Sequence, residues 1–415
     1  MVNKNENADM KNAKKRIAII GTTGVPARYG GFETLAHHLV LNLGETYDMH
    51  VYASTKLYAK EERVKHWNKA RVHYVPLNAN GVSSIPYDIL SMAHAILYAD
   101  YIVILGVSGG LFVPFIKWFT KKKVVVNIDG LEWRRNKWSR FAKWFLKWSE
   151  KVAVKYSDAD ITDNESIKVY TAKNYKTASH LIAYGADHTS RQELTEKEYV
   201  KYPFIKEPYA FKVARIEPEN NLDLILNAFS KIPHKQLVIV GNWKNSDYGK
   251  NLKNLFEKYK NIHLLDPIYN QKELDQLRSN CNVYVHGHSA GGTNPSLVEA
   301  MYLKLPVLAF NVSFNKATMK QEGLFFRNEK ELIDLMQNTS ADAYAEIADK
   351  LYKIAMVNYT WHHISQRYAG IIESFDFAYE KPNLQNEMPI EYPELLERGY
   401  AHLDRSKLFY ESSNS

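Results

Sequence analysis

The sequence predicts an α/β protein of two domains, each a parallel sheet covered by helices on both faces. Short apolar runs alternate with helical stretches along most of the chain, and one polar stretch interrupts the series, so that it occurs twice. Strands alternating with helices at this spacing give parallel sheets. The length agrees: one domain holds about 100–200 residues, and the chain has 415.

The first series opens with Arg16–Ile20, closed by Gly21. It continues through His50–Ala53, Val72–Pro76, Tyr101–Leu105, Val124–Ile128 and Asp160–Thr162. Phe32–Leu43 and Tyr87–Tyr98 read as helices between them, and a domain over 16–190 is expected. Residues 186–207 are polar. The second series is Tyr209–Val213, Gln236–Val240, Ile262–Leu265, Asn282–Val285 and Pro306–Phe310, with helices over Asn221–Ser230, Gly249–Lys258, Lys272–Arg278 and Pro295–Tyr302. It predicts a domain over 205–378, helical from about Glu331 to Phe375. The carboxyl ends of both sets of strands are expected to face a shared cleft. Residues 1–15 are polar and expected to be disordered. Residues 379–415, with Pro382, Pro389 and Pro393, have no assigned place.

Composition excludes several classes. Cys281 is the chain's one cysteine, which leaves no disulfide framework and no Cys-rich zinc site. A lone cysteine fits a reducing compartment. The N-terminal MVNKNENADMKNAKKR has no apolar core, so no secretory signal is expected. The longest weakly polar run, between Asp100 and Lys117, is broken by Gly109, Gly110 and Pro114. It falls short of the roughly 20 apolar residues of a spanning helix. A cytoplasmic protein is expected.

The formal charge of +8 is concentrated. Between Phe112 and Tyr156 twelve basic residues face only Asp129, Glu132 and Glu150, a net +9, so the rest of the chain carries −1. The same segment holds five of the eight tryptophans. Such a local patch on a near-neutral protein points to an anionic lipid or polyphosphate surface rather than to nucleic acid. Trp138, Phe141, Phe145, Trp148 and Val152 fall at helical spacing and read as the core face of a helix. Lys121, Lys122, Lys123, Lys143, Trp144 and Lys147 are the candidate membrane patch, with Trp118 beside them.

Three motifs carry chemistry. The first strand runs into GTTGVPARYGGFET, whose Gly30 and Gly31 precede a helix. Backbone N–H groups at a helix start favour anions; a plain strand-to-helix loop is the alternative. In YAFKVARIEPENN a strand delivers Arg215, either a phosphate clamp or a partner of Glu217 or Glu219. In VYVHGHSAGGTNPSLVEAM a strand leads to Gly291, Gly292, Thr293 and Asn294 at a helix start, with Glu299 about one turn in. That turn suits a sugar or phosphate oxygen. His286 and His288 lack a third ligand nearby in sequence, and Asp158 and Asp160 read as solvated loop residues. No metal site is expected.

Together these pieces resemble the retaining GT-B glycosyltransferases of family four, over about residues 16–378. TTGVPARYGGFET, NIDGLEWRRNKW, RIEPENN and HSAGGTNPSLVEAM are similar to a bacterial subgroup of capsular and cell-wall rhamnosyltransferases. The resemblance implies two Rossmann-like domains facing across a nucleotide-sugar cleft, with the acceptor on the N-terminal one. It implies a cytoplasmic enzyme, peripheral at the inner face of the plasma membrane. That enzyme would move L-rhamnose from dTDP-rhamnose to a lipid-pyrophosphate-linked saccharide, without metal or other cofactor. A nucleotide-sugar epimerase and a degenerate, non-catalytic relative are the alternatives.

The resemblance also implies roles. Gly30 and Gly31 would cradle the donor diphosphate, Arg215 would neutralise it as it leaves, and Glu299 would hold the ribose. Gly292, Thr293 and Asn294 complete the donor set. The family's second cation falls at Asn220 and its first glutamate at Gly291, so both are replaced here; Lys244 is a candidate substitute for the cation. Asp129 and Glu132 are candidates for positioning the acceptor or taking its proton, the alternatives being a helix cap for Asp129 and an ion pair with Arg134 or Arg135 for Glu132.

Overall fold

In a computed structural model, residues 14–28, 30–128, 130–134 and 138–384 are described. The chain forms two compact units. The first comprises the chain up to Thr162, Lys168–Ile182 and the chain from Ser365; the second comprises Asp163–Ile167 and Ala183–Ile364. These units depart from the expected limits of 190 and 378. The chain passes into the second unit for five residues, and it returns to the first at Ser365, inside the helix Trp361–Ser374.

The first unit is built on β1 (Arg16–Ile20), β2 (Asp48–Ser54), β3 (His66–Trp67), β4 (Ala70–Val75), β5 (Tyr101–Leu105), β6 (Lys123–Asn127), β7 (Ala159–Thr162) and β8 (His180–Leu181). Their order is β3-β4-β2-β1-β5-β6-β7-β8. All neighbours are parallel except β3, a short antiparallel edge strand that the sequence pattern does not reveal. Every residue of β5 is buried, as a central parallel strand requires. Gly21 ends β1 with φ +87°, and a Cβ there would collide with the carbonyl oxygen of Leu105. Only glycine lets these two strand ends run side by side.

The helix Arg140–Tyr156 starts at Ser139, whose hydroxyl accepts from the Ala142 amide at 3.3 Å. Its buried residues are Leu146, Ser149, Glu150, Ala153 and Val154. This corrects the expected core stripe. Phe141 is 72% exposed and Trp148 46%, whereas Leu146 is in the core. The loop at Gly110 approaches so closely that a Cβ there would sit 2.6 Å from the Ser149 carbonyl oxygen. Such an approach selects small inward side chains and turns the large rings outward.

Asp158 and Asp160 are buried rather than solvated. Asp158 accepts from the Val124 amide at 3.0 Å and pairs with Lys117 at 2.5 Å and Lys123 at 3.4 Å. Asp160 accepts from Thr177 and Ser179 and pairs with Lys381 at 2.6 Å. Lys381 also donates to the Val154 carbonyl, and Asn383 bridges Thr177. Residues 379–384 of the unassigned tail are thus fastened to the first sheet.

The second unit is a six-stranded, all-parallel sheet of β9 (Tyr209–Val213), β10 (Gln236–Val240), β11 (Ile262–Leu265), β12 (Val283–His286), β13 (Val307–Phe310) and β14 (Leu324–Phe326). Its order, β11-β10-β9-β12-β13-β14, reverses direction between β9 and β12. In open α/β sheets this switch point is where ligands bind, beyond the carboxyl ends of the strands. Leu222, Ile225, Leu226 and Phe229 of the helix Leu222–Ser230 pack on Leu237, Ile239 and Val283.

Candidate functional site

The switch point of the second sheet brings together the loops after β9 and β12. They are laced by backbone and side chain: Asn221 donates to the Gly287 carbonyl at 2.8 Å, and the Ser289 amide donates to the Glu219 carbonyl at 2.8 Å. Asn220 is buried, donates to the Arg215 carbonyl at 2.9 Å and meets His288 Nδ1 at 3.1 Å. Asn220 therefore closes the loop. Lys244, the candidate substitute, is exposed beyond β10 and lies 3.9 Å from Asp266. Arg215 is exposed, and among the described residues it forms no ion pair with Glu217 or Glu219, which leaves its guanidinium available to an anion.

Beyond β12, Gly291 has φ +103°, a region that side-chain-bearing residues avoid. A side chain at this position would be strained in the turn. A Cβ at Gly292 would collide with Asp163 Oδ1, so the turn packs directly on that carboxylate. Thr293 is buried and donates its hydroxyl to the Asp163 carbonyl at 2.6 Å. Asn294 caps the helix Pro295–Tyr302, accepting from the Ser296 amide at 3.0 Å. Thr293 and Asn294 both hold the turn in place.

Glu299 stands on that helix with its side chain 15% exposed. One oxygen accepts from Arg278 Nη1, and the other lies 3.3 Å from His188 Nε2. Arg278 is fully buried and also donates to Asp275 at 2.6 Å. The Trp361 indole donates to His188 Nδ1 at 3.0 Å, which fixes the proton on Nε2, facing Glu299. Burial alone would raise the Glu299 pKa, but Arg278 and His188 outweigh it and hold it at about 2. The carboxylate is charged, oriented and partly exposed, and each oxygen keeps a lone pair for a hydroxyl. No signal in the sequence points to Arg278 or His188, because no spacing rule connects residues so far apart in the chain.

In the first unit, Gly30 is exposed and precedes the helix Gly31–Leu43 without a side-chain cap. Glu33 folds back to accept from the Arg28 amide at 3.0 Å, and Arg28 pairs with Glu62 at 2.8 Å. The loop is thus shaped by its own residues, and the Glu33 carboxylate lies close to Gly30 at the helix start. Glu132 accepts from the Trp138 indole at 3.0 Å. Asp129 lies outside the described residues. Among the described residues, no group of three His, Cys, Asp or Glu is placed to hold a metal, and no helix is long and apolar enough to cross a membrane.

Residues 195–355 match the family described as "Glycosyl transferases group 1". Residues 14–187 match one described as a domain of unknown function (DUF1972). Glycosyltransferase 1 domain-containing protein 1 of Xenopus tropicalis is 25% identical over 146 residues, which are 34% of this chain and 42% of that protein. The chain therefore spans less than half the length of that curated relative. Among solved structures, sucrose-phosphate synthase from Thermosynechococcus elongatus superposes with a TM-score of 0.75 at 15% identity, covering 88% of this chain and all of that one. α,α-Trehalose 6-phosphate synthase from Burkholderia multivorans gives 0.69 at 10% identity over 88% and 98%. Anabaena HepE in complex with UDP-glucose gives 0.63 at 12% over 86% and 99%. The fold is GT-B, with two Rossmann-like domains, and these findings support a GT-B glycosyltransferase.

Proposed function

We propose that the protein is a retaining glycosyltransferase that moves L-rhamnose from dTDP-rhamnose to a lipid-pyrophosphate-linked saccharide in bacterial polysaccharide synthesis. The observation that carries the reading is that the strands leading to an exposed Arg215 and to the charged, oriented carboxylate of Glu299 are the two neighbours at the switch point. The match to glycosyl transferases group 1 covers both residues. A neighbour solved with UDP-glucose supports a nucleotide-sugar donor.

In this reading Glu299 accepts hydrogen bonds from the ribose hydroxyls. Arg215 pairs with the diphosphate and stabilises the charge it gains as the bond to the sugar C1 breaks. The helix start at Gly30 and Gly31 offers N–H groups to an anionic ligand. The acceptor oxygen bonds to C1 on the face the diphosphate leaves, and its proton passes to a diphosphate oxygen. Glu132 positions the acceptor. The space at Gly291, which has no side chain to bond a C6 hydroxyl, suits a 6-deoxy sugar. The acceptor is lipid-linked, and the enzyme works at the cytoplasmic face of the membrane.

Purified protein incubated with a panel of nucleotide sugars and a lipid-pyrophosphate saccharide tests this. Transfer with retained anomeric configuration, fastest from dTDP-rhamnose, is expected. Neither transfer nor donor hydrolysis with any donor would overturn it, and conversion of the donor without acceptor would instead indicate an epimerase.

A further inference from the structure

The first unit exposes aromatic rings that its core does not use. On the helix Arg140–Tyr156, Phe141 is 72% exposed, Trp144 59% and Trp148 46%; on the helix Val113–Phe119, Phe115 is 52%, Trp118 62% and Phe119 78%. The rings touch in sequence. Phe141 and Trp144 lie 5.8 Å apart, Trp144 and Trp148 are stacked at 5.7 Å, and Trp118 meets Tyr156 edge-on at 5.5 Å, joining the two helices. Isolated exposed rings are ordinary, but contiguous ones mark an interaction surface.

Charge lies on the same face. At 3.6 residues per turn, Phe141, Trp144, Trp148, Lys151 and Lys155 fall within an arc of about 80°. That arc is opposite the buried residues Leu146, Ser149, Glu150 and Ala153. Lys147 lies 4.7 Å over the Trp133 ring, and Lys155 5.4 Å over Tyr156. Lys121, Lys143 and Lys151 form no ion pair among the described residues. The helix's one acid, Glu150, points inward and accepts from Tyr175 at 2.5 Å and Tyr170 at 3.1 Å. The outward face of this helix is therefore cationic and aromatic, without a carboxylate of its own to balance it.

We propose that this face is a docking surface for the interface of an anionic phospholipid bilayer. Amphipathic rings of Trp and Phe settle at the headgroup boundary, while lysines keep their ammonium groups among the phosphates. Each lysine brought to an anionic surface strengthens binding roughly five-fold. The inference stands on this surface alone; it needs neither donor nor acceptor, and sugar transfer could fail while it holds.

The full-length protein is mixed with vesicles of phosphatidylcholine, with and without phosphatidylglycerol, and sedimented. Binding is expected only with phosphatidylglycerol, weakening as salt rises. Tryptophan fluorescence of the unmodified protein is expected to be quenched by bromine-labelled lipid, a readout that requires no variant. Replacing the rings (Phe141→Ser, Trp144→Ser, Trp148→Ser) or the charges (Lys151→Glu, Lys155→Glu) is expected to weaken binding at least ten-fold, with an unchanged melting profile. Equal binding to neutral vesicles, no quenching, or unaltered binding by both variants would overturn the proposal. So would a wild-type dimer that the ring variant converts to monomer without any lipid binding, since the face would then serve a second copy of the chain.

Discussion

Arg278, with no solvent exposure, donates to the Glu299 carboxylate that the proposed function assigns to the ribose. The contact makes a buried cation answerable for the orientation of a binding group. Removing one partner of a buried pair costs about 3–5 kcal/mol. Arg278→Leu is expected to lower stability by about that much and to abolish nucleotide binding. Urea denaturation and nucleotide titration check both, and a variant as stable as the parent would contradict the assignment.

The same pair gives an acid dependence. Glu299 is held at about 2 when folded, below its unfolded value of about 4.3. Its contribution is therefore complete above about pH 4.3 and is lost as pH falls towards 2. Glu299→Gln is expected to flatten this part of the stability–pH curve, which denaturation at pH 3 and pH 5 would read.

Arg215 is exposed, and its guanidinium holds no structural ion pair among the described residues. Arg215→Ala is expected to leave the melting temperature within a degree or so while weakening nucleotide-sugar binding roughly 10- to 100-fold, as for a lost charge-assisted bond. A large fall in stability would show that the loop depends on it.

Gly291 has φ +103°. Gly291→Glu places a carboxylate in the turn but is expected to cost about 1–3 kcal/mol in backbone strain, with no gain in transfer. Higher activity at undiminished stability would count against the reading of this turn.

Lys212, on β9, is buried, and burial pushes its pKa down to about 7. The folded state then binds a proton less readily than the unfolded chain, whose value is about 10.4. The cost is greatest below pH 7 and fades as pH rises towards 10.4. Lys212→Met is expected to raise stability at pH 7 by a few kcal/mol at most and to remove the rise between pH 7 and 10. Denaturation midpoints across that range would read both effects.

The two parallel sheets are legible because their strands are unbroken apolar runs, as in Tyr101–Leu105 and Gln236–Val240. The edge strands His66–Trp67 and His180–Leu181 are not, since two residues carry no period. The position of Glu299 is readable from its motif. Its partners are not, because Arg278 and His188 reach it only through the fold. Periodicity turns the aromatic helix inside out for a definite reason. It finds large apolar residues, whereas the inward face is decided by the close approach of Gly110 to Ser149 and Ala153. Thr293 and Asn294 show a different limit, since capping a turn and binding a ligand use the same side chains.

The ion pair of Asp160 with Lys381 gives the order of synthesis a meaning. A ribosome makes Asp160 long before Lys381, and all of the second unit except Asp163–Ile167 comes between β8 and Ser365. Until residue 381 emerges, a carboxylate on β7 has its two hydroxyl donors but no counter-charge. The first unit is begun before the second and completed after it, and a fragment ending near residue 187 would carry that unneutralised charge permanently.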